Sequence, residues 1–267
     1  MIRKPVVSGQ FYPAEREELL QAVKSFLEPA AAKVRALGAM VPHAGYVCSG
    51  PVAGAVYSRL KIPELVILLG PSHTGLGPDF SVMEEAVWQT PLGEVRVSGK
   101  AGDLRRKSSL LKSDSSAHLR EHCLEVQLPF LQVCAKHGFE FIPIVVGSLQ
   151  TAYLIQLGRE IAEFVRGAEQ EVLILSSSDM SHYEPDKIVR QKDDYVLETV
   201  LSLNPEGLLH RVAERNVTMC GAAPTAVMLS AARELGAGKA ELVKYNTSSD
   251  TCSSDDSVVG YAGVIIT

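Results

Sequence analysis

Three apolar stretches of this chain end on a histidine: "AMVPHAGY" carries His43, "VILLGPSHTG" carries His73, and "LILSSSDMSH" carries Asp179 and His182. Imidazole ligates metals and exchanges protons near neutral pH. Ligands of open α/β sheets bind outside the carboxyl ends of the strands. If the three strands are parallel neighbours, His43, His73, Asp179 and His182 meet in one crevice. Cys220, in "NVTMCGAAPTAVML", stands just before a predicted helix, where the backbone dipoles favour thiolate, the form that binds metal. The competing reading is a surface loop for each histidine and a small buried thiol for each cysteine. We assign that reading to Cys48, Cys123 and Cys134, and Cys252 falls in a polar loop without an assignment.

"HLREH", residues 118–122, matches the inverted zinc-protease pattern, and its histidines are four apart, as one helix face requires. Short patterns of this kind often match by chance. We expect His118 at an exposed helix start, with Glu121, His122 and Glu125 supporting a site rather than ligating metal jointly with His118. His137 and His210 read as surface residues. No dinucleotide fingerprint, P-loop or nucleophile elbow occurs.

The elements that must place these residues follow from periodicity. Helices are predicted at 14–29, 49–60, 118–138, 151–167, 187–202, 205–214 and 223–235. Buried strands are predicted at 36–42, 64–71, 139–147 and 171–179, with a last strand at 257–267. Residues 79–99 read as two antiparallel strands around Pro91–Gly93, and 100–117 as a polar lead into the next helix. The alternation predicts an α/β fold, a central mostly parallel sheet with helices on both faces and an inserted antiparallel hairpin.

The 267 residues are 46% hydrophobic, enough for a real core, and one domain spanning 1–267 is expected. The net charge of −5, without a basic block, argues against nucleic acid. No apolar run approaches a membrane span, so no membrane partner is expected. The first residues lack the apolar core of an export signal. With five cysteines and no CxxC, the expectation is reduced thiols in a cytoplasmic protein.

Stretches spread in order along the chain resemble the Memo family, the B component of the AmmeMemoRadiSam grouping. They are "SGQFYP", "VPHAGY", "LLGPSH", "TPLG", "EHCLEVQLPF", "IPIVVG", "SSDMSHY", "TMCGAAP" and "SVVGYA". The resemblance implies a fold like that of the class III extradiol dioxygenases. It also implies a metal held by His43, His73 and Cys220: iron, with copper as rival and zinc less fitting. Asp179 and His182 match the remaining pocket positions, His182 as proton donor or acceptor and Asp179 orienting it or a bound water. Where the dioxygenases use a carboxylate, this chain has Cys220, and thiolate suits softer or redox-active ions. The implied function is a metal-dependent redox protein or oxidoreductase acting on an unknown small molecule or peptide. The alternative is a non-catalytic metal- or peptide-binding partner of a radical-SAM-associated system, supported by the phosphotyrosine peptides that family members bind. Zinc hydrolysis is a third reading.

Overall fold

The computed structural model describes residues 1–252 and 254–267. In chain order the strands are β1 (Ile2–Arg3), β2 (Gly38–Val41), β3 (Leu65–Pro71), β4 (Phe80–Val82), β5 (Val87–Thr90), β6 (Gly93–Arg96), β7 (Lys112–Ser113), β8 (Glu140–Val146), β9 (Val172–Ser177), β10 (His182–Glu184), β11 (Ala240–Thr247) and β12 (Val258–Ile266). The α-helices are α1 (Arg16–Phe26), α2 (Tyr46–Arg59), α3 (Lys100–Lys107), α4 (Ser116–Leu119), α5 (Leu128–Cys134), α6 (Thr151–Arg166), α7 (Asp186–Leu201), α8 (Pro205–Glu214) and α9 (Ala222–Glu234).

β2, β3 and β9 are buried along their whole length, which is why they read as unbroken apolar runs. They lie in the order β2-β9-β3-β8, each pair parallel. Parallel neighbours bring their carboxyl ends to one edge, and the three predicted strand-end turns therefore meet there. β12 runs antiparallel to β2, pairs with β11 along its other edge, and pairs with β10 through its first residues. On the other flank β4 runs antiparallel to β8. A smaller sheet, β1-β5-β6, contains the predicted hairpin, β5 and β6, around Pro91–Gly93.

Helices cover both faces. Gly38 faces Met228 of α9, and Gly263 faces Val56 of α2. Gly38 pairs with Ile266, three residues from Gly263, so these positions alternate to opposite faces and α2 and α9 lie on opposite sides. α6 packs on α9, and α1 and α5 pack on α2. Each fully buried Leu or Ile of β3 contributes roughly 1.5–3 kcal/mol, so the site rests on a well-packed part of the core.

The structure corrects several sequence expectations. The helix predicted at 118–138 is broken into α4, a 3-10 turn at Glu125–Gln127 and α5. The polar lead at 100–117 contains α3. β11 was not anticipated; its side chains are mostly half-buried, so no clean alternation marks it. Cys48 and Cys252 form a disulfide, so the expectation of five reduced thiols fails for this pair. The segment after β11 folds back onto the start of α2, a contact 204 residues apart in sequence that no local pattern carries. Among the described residues no helix is long and apolar enough to cross a membrane.

Candidate metal centre

His43 follows β2, His73 follows β3, and Asp179 follows β9, all at the predicted sheet edge. The structure brings His43 and His73 together and adds His122. One ring nitrogen of each of the three lies within 4.8 Å of the others. Ring centroids are 5.1 Å apart for His43–His73, 4.6 Å for His73–His122 and 5.6 Å for His43–His122. Gly70 makes the meeting possible: a β-carbon there would sit 2.4 Å from Cys123 Sγ, so only glycine lets the His73 turn close onto the His122–Leu124 segment.

The hydrogen bonds choose which nitrogen His43 and His73 present. Ser177 Oγ donates to the Cys123 carbonyl at 2.7 Å and accepts from Gln127 Nε2 at 2.9 Å. Its hydrogen is therefore committed, and its contact with His43 Nδ1 at 3.0 Å must be an N–H donated to it. That leaves His43 Nε2 with a free lone pair. His73 Nδ1 donates to Glu121 Oε1 at 2.8 Å, which frees its Nε2 in the same way. A carboxylate or hydroxyl behind a histidine, fixing its tautomer and rotation, is the usual support of a metal ligand.

Glu121 is fully buried and accepts four N–H groups: His73 N and Nδ1, His122 N and Cys123 N. Burial raises its pKa, but the His73 bond and charge outweigh it and hold the carboxyl at about 2. Its oxygens are occupied, so Glu121 anchors the site, although it also clusters with His73 and Cys123. His73 is the reciprocal case: burial lowers its pKa, Glu121 outweighs this, and the net shift is upward. His43 is pushed down to about 4 by burial, with His73 and His122 opposing its charging and Asp179 favouring it. His122 is lowered by burial, which outweighs Glu121.

Cys220 joins the group. Its Sγ is 3.3 Å from His43 Nε2 and 3.7 Å from the Asp179 carbonyl. A β-carbon on Gly221 would sit 2.3 Å from Ser178 Cβ, so glycine again permits the approach. The expected lowering of the thiol pKa is not found. Burial, and then the Asp179 carboxylate, push it well up. The helix starts only at Ala222, and its dipole does not offset these two effects. A thiol here can donate S–H to the His43 lone pair, and a cation would displace that proton.

Asp179, expected to orient His182 or a bound water, is bonded to His43 and not to His182. Its Oδ1 accepts from His43 N at 2.7 Å and its Oδ2 lies 4.0 Å from His43 Nε2. His182 is held by Thr218, whose Oγ1 accepts from His182 N at 2.7 Å and whose carbonyl is 2.8 Å from His182 Nδ1. A carbonyl only accepts, so His182 Nδ1 carries the hydrogen and Nε2 is the basic nitrogen. Among the described residues no hydrogen bond or ring contact joins His182 to the three clustered histidines; it stands beside them through Thr218, two residues before Cys220.

His118 is not an exposed helix start. It is fully buried, with Nε2 3.1 Å from Ser81 Oγ. α4 ends at Leu119, so the four-residue spacing no longer places His118 and His122 on one face, and only His122 belongs to the cluster. Glu125 supports the site indirectly. It accepts from Arg3, from Val6 N and Val7 N, and from Tyr12 Oη at 2.6 Å. It thereby fixes the segment whose Phe11 ring lies 5.0 Å from His122. His137 and His210 are exposed and Cys123 is buried, as expected. Sequence reasoning missed the central place of His122 and the roles of Ser177 and Thr218; the "EHCLEVQLPF" and "SSDMSHY" stretches were its available signals for the first two.

A mixed α/β sheet, parallel at its centre, with an imidazole and thiol cluster at the carboxyl edge of the parallel strands defines the class of protein. The family model described as "Memo-like protein" matches residues 3–265. MEMO1 family proteins of Ignicoccus hospitalis and Aquifex aeolicus are each 42% identical to the chain, covering 99% of it and 98% of their own length. A crystal structure of uncharacterized protein JW3007 from Escherichia coli K12 superposes with a TM-score of 0.56 at 13% identity, over 85% of this chain and 98% of that one, a likeness of fold alone. The chain belongs to the Memo family.

Proposed function

We propose that this protein binds one metal ion through His43, His73 and Cys220, with His122 as a further ligand, and that it serves a redox or oxidoreductase role. The observation that carries the reading is the pair of Nε2 lone pairs, on His43 and His73, left free by Ser177 and Glu121 within the three-histidine cluster, with the Cys220 thiol 3.3 Å from His43 Nε2. Imidazoles with a thiolate suit iron, copper or zinc. The family resemblance puts iron first, copper second and zinc last. The metal, when bound, would supply a Lewis-acid or redox centre. The chain's own residues would do the rest. Asp179 fixes the His43 backbone, and His182 holds a basic Nε2 for a proton from a ligand in the crevice.

Protein purified without oxygen should carry about one metal ion per chain by elemental analysis, and His43→Ala or His73→Ala should lose it. Metal-free protein that takes up no iron, copper or zinc would end this reading. A second reading, a binding protein for a peptide or a radical-SAM-system partner, is favoured by exposed Val47, Leu76, Leu149 and Tyr183, which follow the strand ends around the crevice. Sustained consumption of oxygen or substrate separates the two, because a binder saturates.

A further inference from the structure

The Cys48–Cys252 disulfide lies where the chain's two approaches to the crevice meet. Cys48 is in the first turn of α2, five residues beyond His43. Cys252 follows the short turn Ser248–Asp250, between β11 and β12. The start of β12 carries the other wall: His182 pairs with Val259 and Glu184 with Val258. Val259 N donates to Ser248 Oγ at 3.0 Å, and Thr251 Oγ1 donates to the Cys48 carbonyl at 3.1 Å. The bridge therefore joins the His43 wall to the His182 wall.

The strand of the His182 wall is short and irregular. β10 has three residues and, among the described residues, pairs only with β12. Its register shifts between His182 and Glu184, and Tyr183 is left-handed, with φ of +62°. Thr218 holds His182 and Lys192 holds Glu184, while the strand backbone pairs with the start of β12, which Ser248 of the Ser248–Cys252 turn holds through Val259 N. Cys252 is exposed and Cys48 half-buried, so a reductant can reach the bond.

We propose that Cys48–Cys252 is a reducible clasp that fixes the His182 wall of the crevice against the His43 wall. A thiolate of a small dithiol reductant attacks Cys252 Sγ, forming a mixed disulfide and releasing Cys48 as thiolate. The reductant's second thiolate then displaces Cys252. The protein gains two electrons and, after protonation, two thiol hydrogens, and the reductant becomes its own disulfide. Exposed disulfides that a reducing compartment can open are the regulatory kind. The clasp itself is independent of the metal; its control over metal retention rests on the function proposed above.

The test compares the full chain before and after dithiothreitol, with the reductant removed under argon. Three cysteines, 123, 134 and 220, should alkylate in unfolded, unreduced protein, and all five after reduction. Hydrogen exchange should rise about tenfold or more at 182–184 and 258–260 on reduction, with β3 and β8 unchanged. Cys252→Ser should exchange like the reduced protein whether or not dithiothreitol has been added. Five alkylated cysteines without reduction, or unchanged exchange at 182–184, would overturn the clasp. Release of bound metal to a chelator should quicken in parallel. Faster exchange with unchanged release would overturn its control of the metal, whereas protein that takes up no metal would defeat the proposed function and leave the exchange result to decide the clasp.

Discussion

Ser177 sets the state of the site at the scale of single residues. It holds its own hydrogen on Cys123 O, so it can only accept from His43 and keeps that ring's Nε2 bare. Ser177→Ala removes this acceptor and should lower metal affinity about 10- to 100-fold while the protein still folds. Chelator competition measures it, and unchanged affinity would mean that the serine does not govern the tautomer. Cys220→Ser should also lose most bound metal, since hydroxyl is a poor ligand and the swap changes little volume. Full metal content in folded Cys220→Ser protein would leave the three imidazoles as the ligand set. His43, His73 and Cys220 were legible because each follows a readable strand or precedes a readable helix. His122 was not, because its place depends on the 70–73 turn packing on 121–124, a contact between segments about fifty residues apart.

At the scale of elements, the four central strands were legible because burial on both faces leaves continuous apolar runs. The 118–138 region was not, since its apolar residues suit a helix whether or not the chain turns at Arg120. That turn sends His118 inward to Ser81, with its Nδ1 buried and without a partner. Burial outweighs nearby Asp114 and lowers its pKa to about 4. Below its unfolded value of about 6.5 the unfolded chain takes the proton first, so this group costs stability as pH falls from about 6.5 to 4. The cost approaches about 3 kcal/mol below pH 4. His118→Leu should therefore be less stable than the parent at pH 7, where the Ser81 bond is lost, and should close or reverse that gap at pH 4.5. Urea denaturation at both values measures it, and an equal gap at each would refute the assignment.

For the whole molecule, the beginning of the chain is tied into the interior by charge. Arg3 is 1% exposed, pairs with Glu125, donates to the Glu121 carbonyl at 2.6 Å and lies 4.1 Å over the Trp88 ring. It couples the small sheet to the segment that carries His122. Removing one member of a buried pair strands the other, so Arg3→Met should cost about 3–5 kcal/mol in chemical denaturation. A loss under about 1 kcal/mol would show that water reaches Glu125. None of this was legible from a lone arginine in "MIRKPVV".

The order of synthesis meets the order of the sheet at β12. This strand pairs with β2, made much earlier, and with β10, which among the described residues has no other strand partner. A growing chain can stack β2, β9, β3 and β8 early, but β10 has no strand to pair with until Val258 and Val259 have left the ribosome. The pairing of β10 is thus finished only in chains that extend through β12. Nascent chains and fragments stopped before residue 258 would carry the clustered histidines with β10 unpaired, more open to water and to whatever ions the surroundings offer.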